Sequence, residues 1–257
     1  MKTGLALSAL MILLSLLSLF YTPFDYNAMD FERFLPPGGE HLLGTDYLGR
    51  DTFSRVMIGG RYTILVALLT VAGSAAIGTA LGLAAGYFGG LLGECVMRVM
   101  DAVSAFPGIL LAIVTVSVFS YGKYSIVLAL IILFIPTFTR IARSSALEFK
   151  QRDFILSARV MGASHARIIF AHILPNSCPS LLSAIIVGLS NAILSEAALS
   201  YLGFGIQPPI PSWGRMLAES QSFLFKSPWG ALAPGLAIML TVIGFHFIGE
   251  GIRKRYS

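Results

Sequence analysis

Long apolar stretches recur along this chain and constrain its fold more than any other feature of the sequence. A helix that crosses a bilayer needs about 20 consecutive, mostly apolar residues. Windows of that size lie at residues 3–22, 62–86, 96–120, 124–143, 180–203 and 230–249. Their apolar residues run continuously instead of alternating, a pattern typical of transmembrane helices and not of barrel strands. We therefore predict an all-α polytopic membrane protein with about six transmembrane helices.

The composition supports lipid as the main solvent of the chain and argues against nucleic acid as a partner. Hydrophobic residues make up 56% of the sequence and charged residues only 12%, far from the balance of a soluble domain. The formal net charge is +5, but the basic residues lie between the apolar stretches, where membrane orientation accounts for them. The bilayer is the predicted partner.

Cysteine and histidine give no indication of a metal site. Cys95 and Cys178 are the only cysteines, and the four histidines are spread over an outer loop, an inner loop and a span. Metal sites need such ligands at short, convergent spacings. We predict neither a bound metal nor a disulfide framework.

Two polar segments interrupt the predicted spans. Residues 23–61 are too polar to insert and too long for a tight turn, and residues 205–229 carry several prolines among aromatic residues. Both fall on the same side, where we expect structured outer loops. The chain then divides into residues 1–61, a first transmembrane helix with its outer loop, and residues 62–257, a five-helix core with a long inner loop at 144–179.

The distribution of lysine and arginine predicts the orientation. With the N-terminus inside, the inner connections carry eleven of the 18 basic residues and the outer segments seven, as the positive-inside rule favours. Both termini are then cytoplasmic, and the first span is expected to be retained because no convincing Ala-x-Ala cleavage site follows it. The inner set is Lys2, Arg98, Arg140, Arg143, Lys150, Arg152, Arg159, Arg167, Arg253, Lys254 and Arg255.

The second predicted span carries Gly78, Gly82 and Gly86 at four-residue spacing. This spacing places three positions without a side chain on one helix face, where another helix can approach closely. Glycine is also simply common in membrane helices, so the spacing leaves both interpretations open.

The inner loop, residues 144–179, predicts two short amphipathic helices. Phe154, Ile155 and Ala158 fall at helical spacing before Gly162 interrupts the pattern, and a second apolar face follows until Pro175 stops it. Such helices suit either lipid headgroups or a groove in a partner protein.

Several motifs in this chain resemble those of permease subunits of ATP-binding-cassette importers. In the inner loop, Ala158, Gly162 and Leu174-Pro175 match the family's signature with its spacing, whereas Leu156 and Ser157 depart from it. The outer segment from His41 to Asp51, which contains Gly44, Thr45, Asp46, Gly49 and Arg50, looks like the signature of the dipeptide, oligopeptide and nickel permeases. So does the segment Glu196-Ala-Ala-Leu-Ser-Tyr-Leu-Gly-Phe-Gly205.

The resemblance implies a division of labour within a complex of the bacterial or archaeal plasma (inner) membrane. Two different permeases form the path, two ATPase subunits dock inside, and a binding protein delivers the substrate outside. The docking residues carried over are Phe154, Ala158, Gly162, Ala163, Leu174 and Pro175. No cofactor is expected on this chain, because Gly122-Lys123 lacks the rest of a phosphate-binding loop. ATP and Mg²⁺ are expected in the ATPase partner, so the chain is not expected to be an enzyme.

Glu196 lies inside the fifth predicted span, where an ionisable group is costly unless it faces protein or water. Glu196 therefore has one of two roles: it is part of the translocation path or of a gate, or it is a structural residue that holds helices together. The alternative to an ATP-driven importer is a secondary transporter driven by an ion gradient, which needs acidic coupling sites near the midplane. The resemblance leaves the substrate open among dipeptides, oligopeptides and nickel or other metal chelates.

Overall fold

The computed structural model describes residues 2–119 and 124–256, and helices account for most of them. The helices are α1 (Lys2–Leu17), α2 (Thr52–Phe88), α3 (Gly90–Ala105), α4 (Gly108–Val118), α5 (Ser125–Phe149), α6 (Asp153–Val160), α7 (His165–Arg167), α8 (Leu174–Tyr201), α9 (Trp213–Ser220) and α10 (Trp229–Tyr256). A π-helical segment, Ile168–Ile173, joins α7 to α8. The predicted all-α class is confirmed for the described residues, whose β-structure is one isolated bridge between Thr45 and Asp51.

Four helices of the described chain are long and apolar enough to cross a membrane. They are Thr52–Phe88, Ser125–Phe149, His165–Tyr201 and Trp229–Ile252, and the bent pair formed by α3 and α4 adds a fifth if it counts as one span. The apolar helix at the N-terminus, Thr3–Leu17, is shorter than a standard span. The multi-pass prediction is confirmed, whereas the number six stays a prediction.

The third predicted span, 96–120, is not one straight helix. Within its described part, α3 ends at Ala105 and α4 starts at Gly108, and the two helices are bent by 95°. Pro107 explains the break, because proline disfavours the helical conformation of the residue before it. Phe106 accordingly adopts an extended conformation with φ −82° and ψ 140°.

The outer loop expected at residues 23–61 ends earlier than predicted. Asp51 caps α2 by accepting a hydrogen bond from the backbone N–H of Ser54, and α2 then starts at Thr52. The polar residues that made the segment look like a loop thus include the first turns of a helix. The boundary drawn at residue 61 lies inside α2.

The glycine-spaced face of α2 lies against α5. A Cβ atom added at Gly78 would lie 2.7 Å from Phe138 Cβ, one at Gly86 would lie 2.7 Å from Ala146 Cβ, and one at Gly82 would overlap the carbonyl oxygen of Thr139. Of the two interpretations left open, close helix approach is the correct one. The absence of side chains at these three glycines therefore lets α2 and α5 pack closely together.

The N-terminal helix packs against α10 in a similar way. A Cβ atom at Gly4 would lie 2.8 Å from the carbonyl oxygen of Gly244, and one at Gly244 would lie 2.8 Å from the backbone nitrogen of Ser8. Helix α1 is therefore part of the helix bundle. Of the basic residues counted for orientation, Lys123 and the side chains of Lys2, Arg253, Lys254 and Arg255 lie outside the described residues.

Candidate functional site

The predicted docking segment forms a short helix at one end of the bundle, between α5 and α7. Helix α6 buries Ile155 and Ala158, and Ile155 belongs to a cluster with Leu83 of α2 and Ala146 of α5. The exposed side chains of α6 and of the following residue, Met161, include large apolar ones. Phe154, Leu156, Val160 and Met161 are 44%, 45%, 89% and 80% exposed. The helix is thus anchored by one face and offers an apolar surface on the other.

Gly162 ends α6 in a left-handed conformation with φ +81°. The N–H of Gly162 donates to the carbonyl of Arg159, and the N–H of Ala163 donates to the carbonyl of Ala158. These two bonds are the Schellman cap, which favours glycine at the left-handed position. No heavy atom lies within 4 Å of where a Gly162 Cβ would stand, so backbone conformation and not space selects glycine. The predicted break at Gly162 is confirmed.

The predicted stop at Pro175 is wrong. A continuous helical stretch runs from His165 to Tyr201, and Leu174 and Pro175 lie within it. Pro175 has no N–H to donate to the turn before it, and the π-helical segment Ile168–Ile173 ends two residues before it. The wider π-turns accommodate the missing hydrogen bond and the proline ring, so the helix continues. Residues 174–179 therefore belong to a long helix and not to a loop.

A side-chain cluster that the sequence did not predict ties this segment to the end of α2. The hydroxyl of Tyr87 lies 2.7 Å from Nδ1 of His165, and the Arg159 guanidinium lies 5.8 Å from the centre of the Tyr87 ring. Lys150, directly after α5, donates to the carbonyl oxygen of Tyr87 at 3.1 Å. We call Tyr87, Lys150, Arg159 and His165 the inner node. Because these residues are far apart in sequence, no spacing pattern identifies them.

The predicted outer-loop motif forms a compact structure at the opposite end of α2. Gly44 and Gly49 have φ +70° and +84°, and a Cβ at either would overlap a backbone carbonyl oxygen, that of Leu35 or of Phe31. Between them, the Thr45 hydroxyl donates to the carbonyl of Glu32 and accepts from the N–H of Leu35. The glycines and Thr45 therefore fold the loop onto itself.

The charged residues of the motif organise the start of α2. Asp46 Oδ1 accepts from the backbone N–H groups of Leu48 and Arg50, and Asp46 Oδ2 accepts from Nε of Arg50 at 2.7 Å. Asp51, besides capping α2, lies 2.8 Å from Nδ1 of His41. In the described structure, Asp46, Arg50 and Asp51 of the predicted motif thus all bind other groups of this chain.

The two predicted outer loops meet through a buried ion-pair cluster. One Glu219 oxygen, Oε2, accepts hydrogen bonds from Arg50 at 3.0 Å and from Arg55 at 2.9 Å. The two arginine side chains are 6% and 3% exposed and the glutamate is 13% exposed. Arg215 reaches the other carboxylate oxygen at 3.3 Å. We call Asp46, Arg50, Arg55, Arg215 and Glu219 the outer clasp, and it confirms that the two loops lie on the same side.

Glu196 is fully buried in α8. Its Oε1 accepts a hydrogen bond from the Ser200 hydroxyl at 2.6 Å, and the hydroxyls of Thr63 and Ser212 also lie close enough to interact. Three elements of the protein therefore meet at this carboxyl group. A role for Glu196 in the path or a gate stays a prediction.

Comparison with known proteins identifies the class to which this arrangement belongs. Residues 78–257 match the family described as "Binding-protein-dependent transport system inner membrane component". The chain belongs to this family, so it is a transport permease of an importer and not an enzyme. An ion-gradient-driven secondary transporter is therefore the wrong class.

Individual relatives are similar over most of the chain. The chain is 42% identical over 221 residues to the dipeptide transport system permease protein DppC of Alkalihalophilus pseudofirmus, covering 86% of this chain and 73% of the relative. It is 42% identical over 246 residues to the glutathione transport system permease protein GsiD of Pectobacterium atrosepticum, covering 95% and 82%. It is 37% identical to DppC of Haemophilus influenzae, covering 97% and 87%.

The fold is similar to that of a solved transporter. A chain from the inward facing conformations of the MetNI methionine ABC transporter superposes with a TM-score of 0.58 at 19% sequence identity, over 76% of this chain and 95% of that chain. At this level of identity the similarity concerns the fold.

Proposed function

We propose that this chain is one of two permease subunits of an ATP-driven importer of small peptides, in which α6 receives the motion of a partner ATPase. The observation that carries the proposal is the two-sided character of α6. Ile155 and Ala158 anchor it in the bundle, while Phe154, Val160 and Met161 remain exposed. An exposed apolar patch at the end of a membrane bundle fits a groove in a partner protein.

The proposed assembly contains a second permease, two ATPase subunits and a binding protein outside the membrane. ATP and Mg²⁺ bind to the ATPase subunits, and this chain supplies no ligand to them. The α6 end then faces the cytoplasm, with both termini on that side, and the outer clasp faces the binding protein. The counts of basic residues in the connections support this orientation.

Small peptides are the proposed substrate class because the relatives at 37–42% identity are named as dipeptide and glutathione permeases. A nickel or metal-chelate cargo has less support. Groups of three or more His, Cys, Asp or Glu side chains that could hold a metal are absent from the part of the chain that the structure describes.

The test uses the two Schellman caps of this chain. Gly162 ends α6 and Gly203 ends α8, with φ +81° and +88°, and no heavy atom lies within 4 Å of either Cβ position. Proline cannot adopt either conformation and removes an N–H that bonds a carbonyl in each cap. We expect Gly162→Pro to abolish co-purification of the ATPase subunits with the tagged permease, whereas Gly203→Pro retains them. Equal retention of the ATPase by both variants would count against α6 as the docking helix.

A further inference from the structure

A cleft with both polar and apolar side chains in its lining opens between α5 and α8. Its volume is about 710 Å³, within the range of about 300–1,000 Å³ typical of small-molecule sites. Its polar lining consists of Ser144, Ser145, Glu148, Asn176, Ser180 and Ser183. Such a concentration of hydroxyl groups is not expected on a helix surface that only faces lipid.

Two hydroxyl groups of the cleft, those of Ser180 and Ser183, face it as hydrogen-bond acceptors. The Ser180 and Ser183 hydroxyls donate to the carbonyls of Ser177 and Pro179, three and four residues earlier in the same helix. Both hydroxyl protons are thereby used within α8. Ser180 Oγ also lies 3.2 Å from the Ser145 hydroxyl, so Ser183 keeps two oxygen lone pairs for a ligand and Ser180 keeps one. The Asn176 side-chain amide likewise donates to the carbonyl of His172. The available lone pairs of Ser180 and Ser183 favour N–H groups on a ligand at this wall of the cleft.

Glu148 adds a negative charge at the α6 end of the cleft. Its carboxylate lies 2.9 Å from Arg152, and both side chains are 58% exposed. An exposed pair of this kind contributes little to stability, so the carboxylate can exchange Arg152 for a cationic ligand group at little cost. A ligand that complements this lining carries an ammonium group next to an amide N–H.

The position of the cleft links it to the proposed docking helix. Its walls are the last turns of α5 and the first turns of α8, and α6 lies in the connection between these two helices. A second cavity, of about 180 Å³, shares Ser183 and Val187 with the cleft and extends to His246 on α10. Movement of α6 therefore changes the separation of the walls of a polar passage that reaches a third helix.

We propose that this serine-lined cleft binds the free amino-terminal end of a small peptide on the cytoplasmic half of its path, an inference that rests on the proposed function. The Glu148 carboxylate receives the ammonium group, and the Ser180 oxygen receives an N–H group of the peptide. The cleft thus distinguishes peptides with a free amino group from N-acylated ones, separately from any selection by the binding protein.

Protection of an introduced cysteine from alkylation tests the proposal. In the intact complex in detergent, with Cys95→Ser and Cys178→Ser to remove the exposed native thiols, Ser183→Cys is alkylated by N-ethylmaleimide without ATP or binding protein. We expect millimolar L-alanyl-L-alanine to slow alkylation severalfold and its N-acetyl derivative to leave the rate unchanged. Ser117→Cys is the matched control, because Ser117 bonds the carbonyl of Ile113 on its own helix but lies outside the cleft.

The outcomes separate the proposal from the function on which it rests. Three outcomes would each overturn the cleft assignment. They are equal protection by both peptides, protection by neither, and a Ser183→Cys thiol that is already shielded without peptide because the second permease covers the cleft. Failure of the proposed function has a different signature, which is the absence of ATP-dependent dialanine uptake by the unmodified complex in proteoliposomes. Protection in a complex that transports dialanine supports both.

Discussion

A single added methyl group at Gly82 tests the close packing of α2 against α5. The Cβ of Gly82→Ala would overlap the carbonyl oxygen of Thr139 and lie 2.7 Å from Ala142 Cβ. The obstacle is backbone, which cannot rotate away as a side chain can, so the two helices must separate locally. Overpacking typically costs about 1–3 kcal/mol, and a rigid obstacle places this case near the upper end. Alanine regains about 1 kcal/mol of helix propensity, leaving an expected net loss of about 2 kcal/mol.

The measurement is the thermal unfolding midpoint of the purified chain in one detergent, compared between wild type and variant. For a chain of this size, about 1 kcal/mol corresponds to about 2–4 °C in Tm. The expected net loss of about 2 kcal/mol for Gly82→Ala therefore corresponds to a fall in Tm of about 4–8 °C.

Gly235→Ala is the matched control for this experiment. Gly235 lies in the membrane helix α10, and the nearest heavy atom to its added Cβ is Leu217 Cδ2 at 3.8 Å, an ordinary contact. The substitution gains helix propensity without a clash, so the Tm is expected to rise by about 2–4 °C. The same sign and size of shift for both variants would refute the close-packing argument.

Two further variants probe the two ends of α2. Glu219→Gln removes the charge that two buried guanidinium groups share, and we expect it to destabilise the chain by about 3–5 kcal/mol, as for a broken buried ion pair. The control is Asp101→Asn, which breaks an exposed pair and should cost no more than about 1 kcal/mol. Similar Tm values for the two variants would contradict the outer clasp. Tyr87→Phe removes only the hydroxyl that contacts His165. We therefore expect a severalfold drop in peptide uptake per ATP hydrolysed, with a Tm change of a few degrees at most. Wild-type uptake per ATP hydrolysed in this variant would exclude the inner node from force transmission.

Local rules made part of this fold predictable from the sequence. Gly162 ends α6 because a Schellman cap needs a left-handed residue, and a glycine after a short apolar pattern is its usual signal. The four-residue spacing of Gly78, Gly82 and Gly86 indicated a flat helix face, and α5 occupies that face. Both features depend on residues close together in the chain, where spacing carries the information.

Other features depend on contacts between distant segments, and spacing does not encode them. The continuation of the helix through Pro175 requires π-turns before it, whereas the proline alone indicates a stop. Glu219 is an acidic residue in a loop until folding brings Arg50 and Arg55 to its carboxylate. The inner node joins Tyr87 to His165 in the same way. Helix α6 was thus predictable, but its attachment to the bundle was not.

Helix α2 connects the two ends of the molecule and explains why both attachments matter. It has 37 residues, so it is about 55 Å long, well beyond the roughly 30 Å of a hydrocarbon core. Its first turn contains Arg55 of the outer clasp, and its last turn contains Tyr87 of the inner node. Because its glycine face packs closely against α5, we expect a displacement of α6 at the inner node to move α2 and α5 together. In the proposed importer, the ATPase end and the binding-protein end are therefore joined by one continuous helix, and weakening either attachment is expected to uncouple hydrolysis from transport.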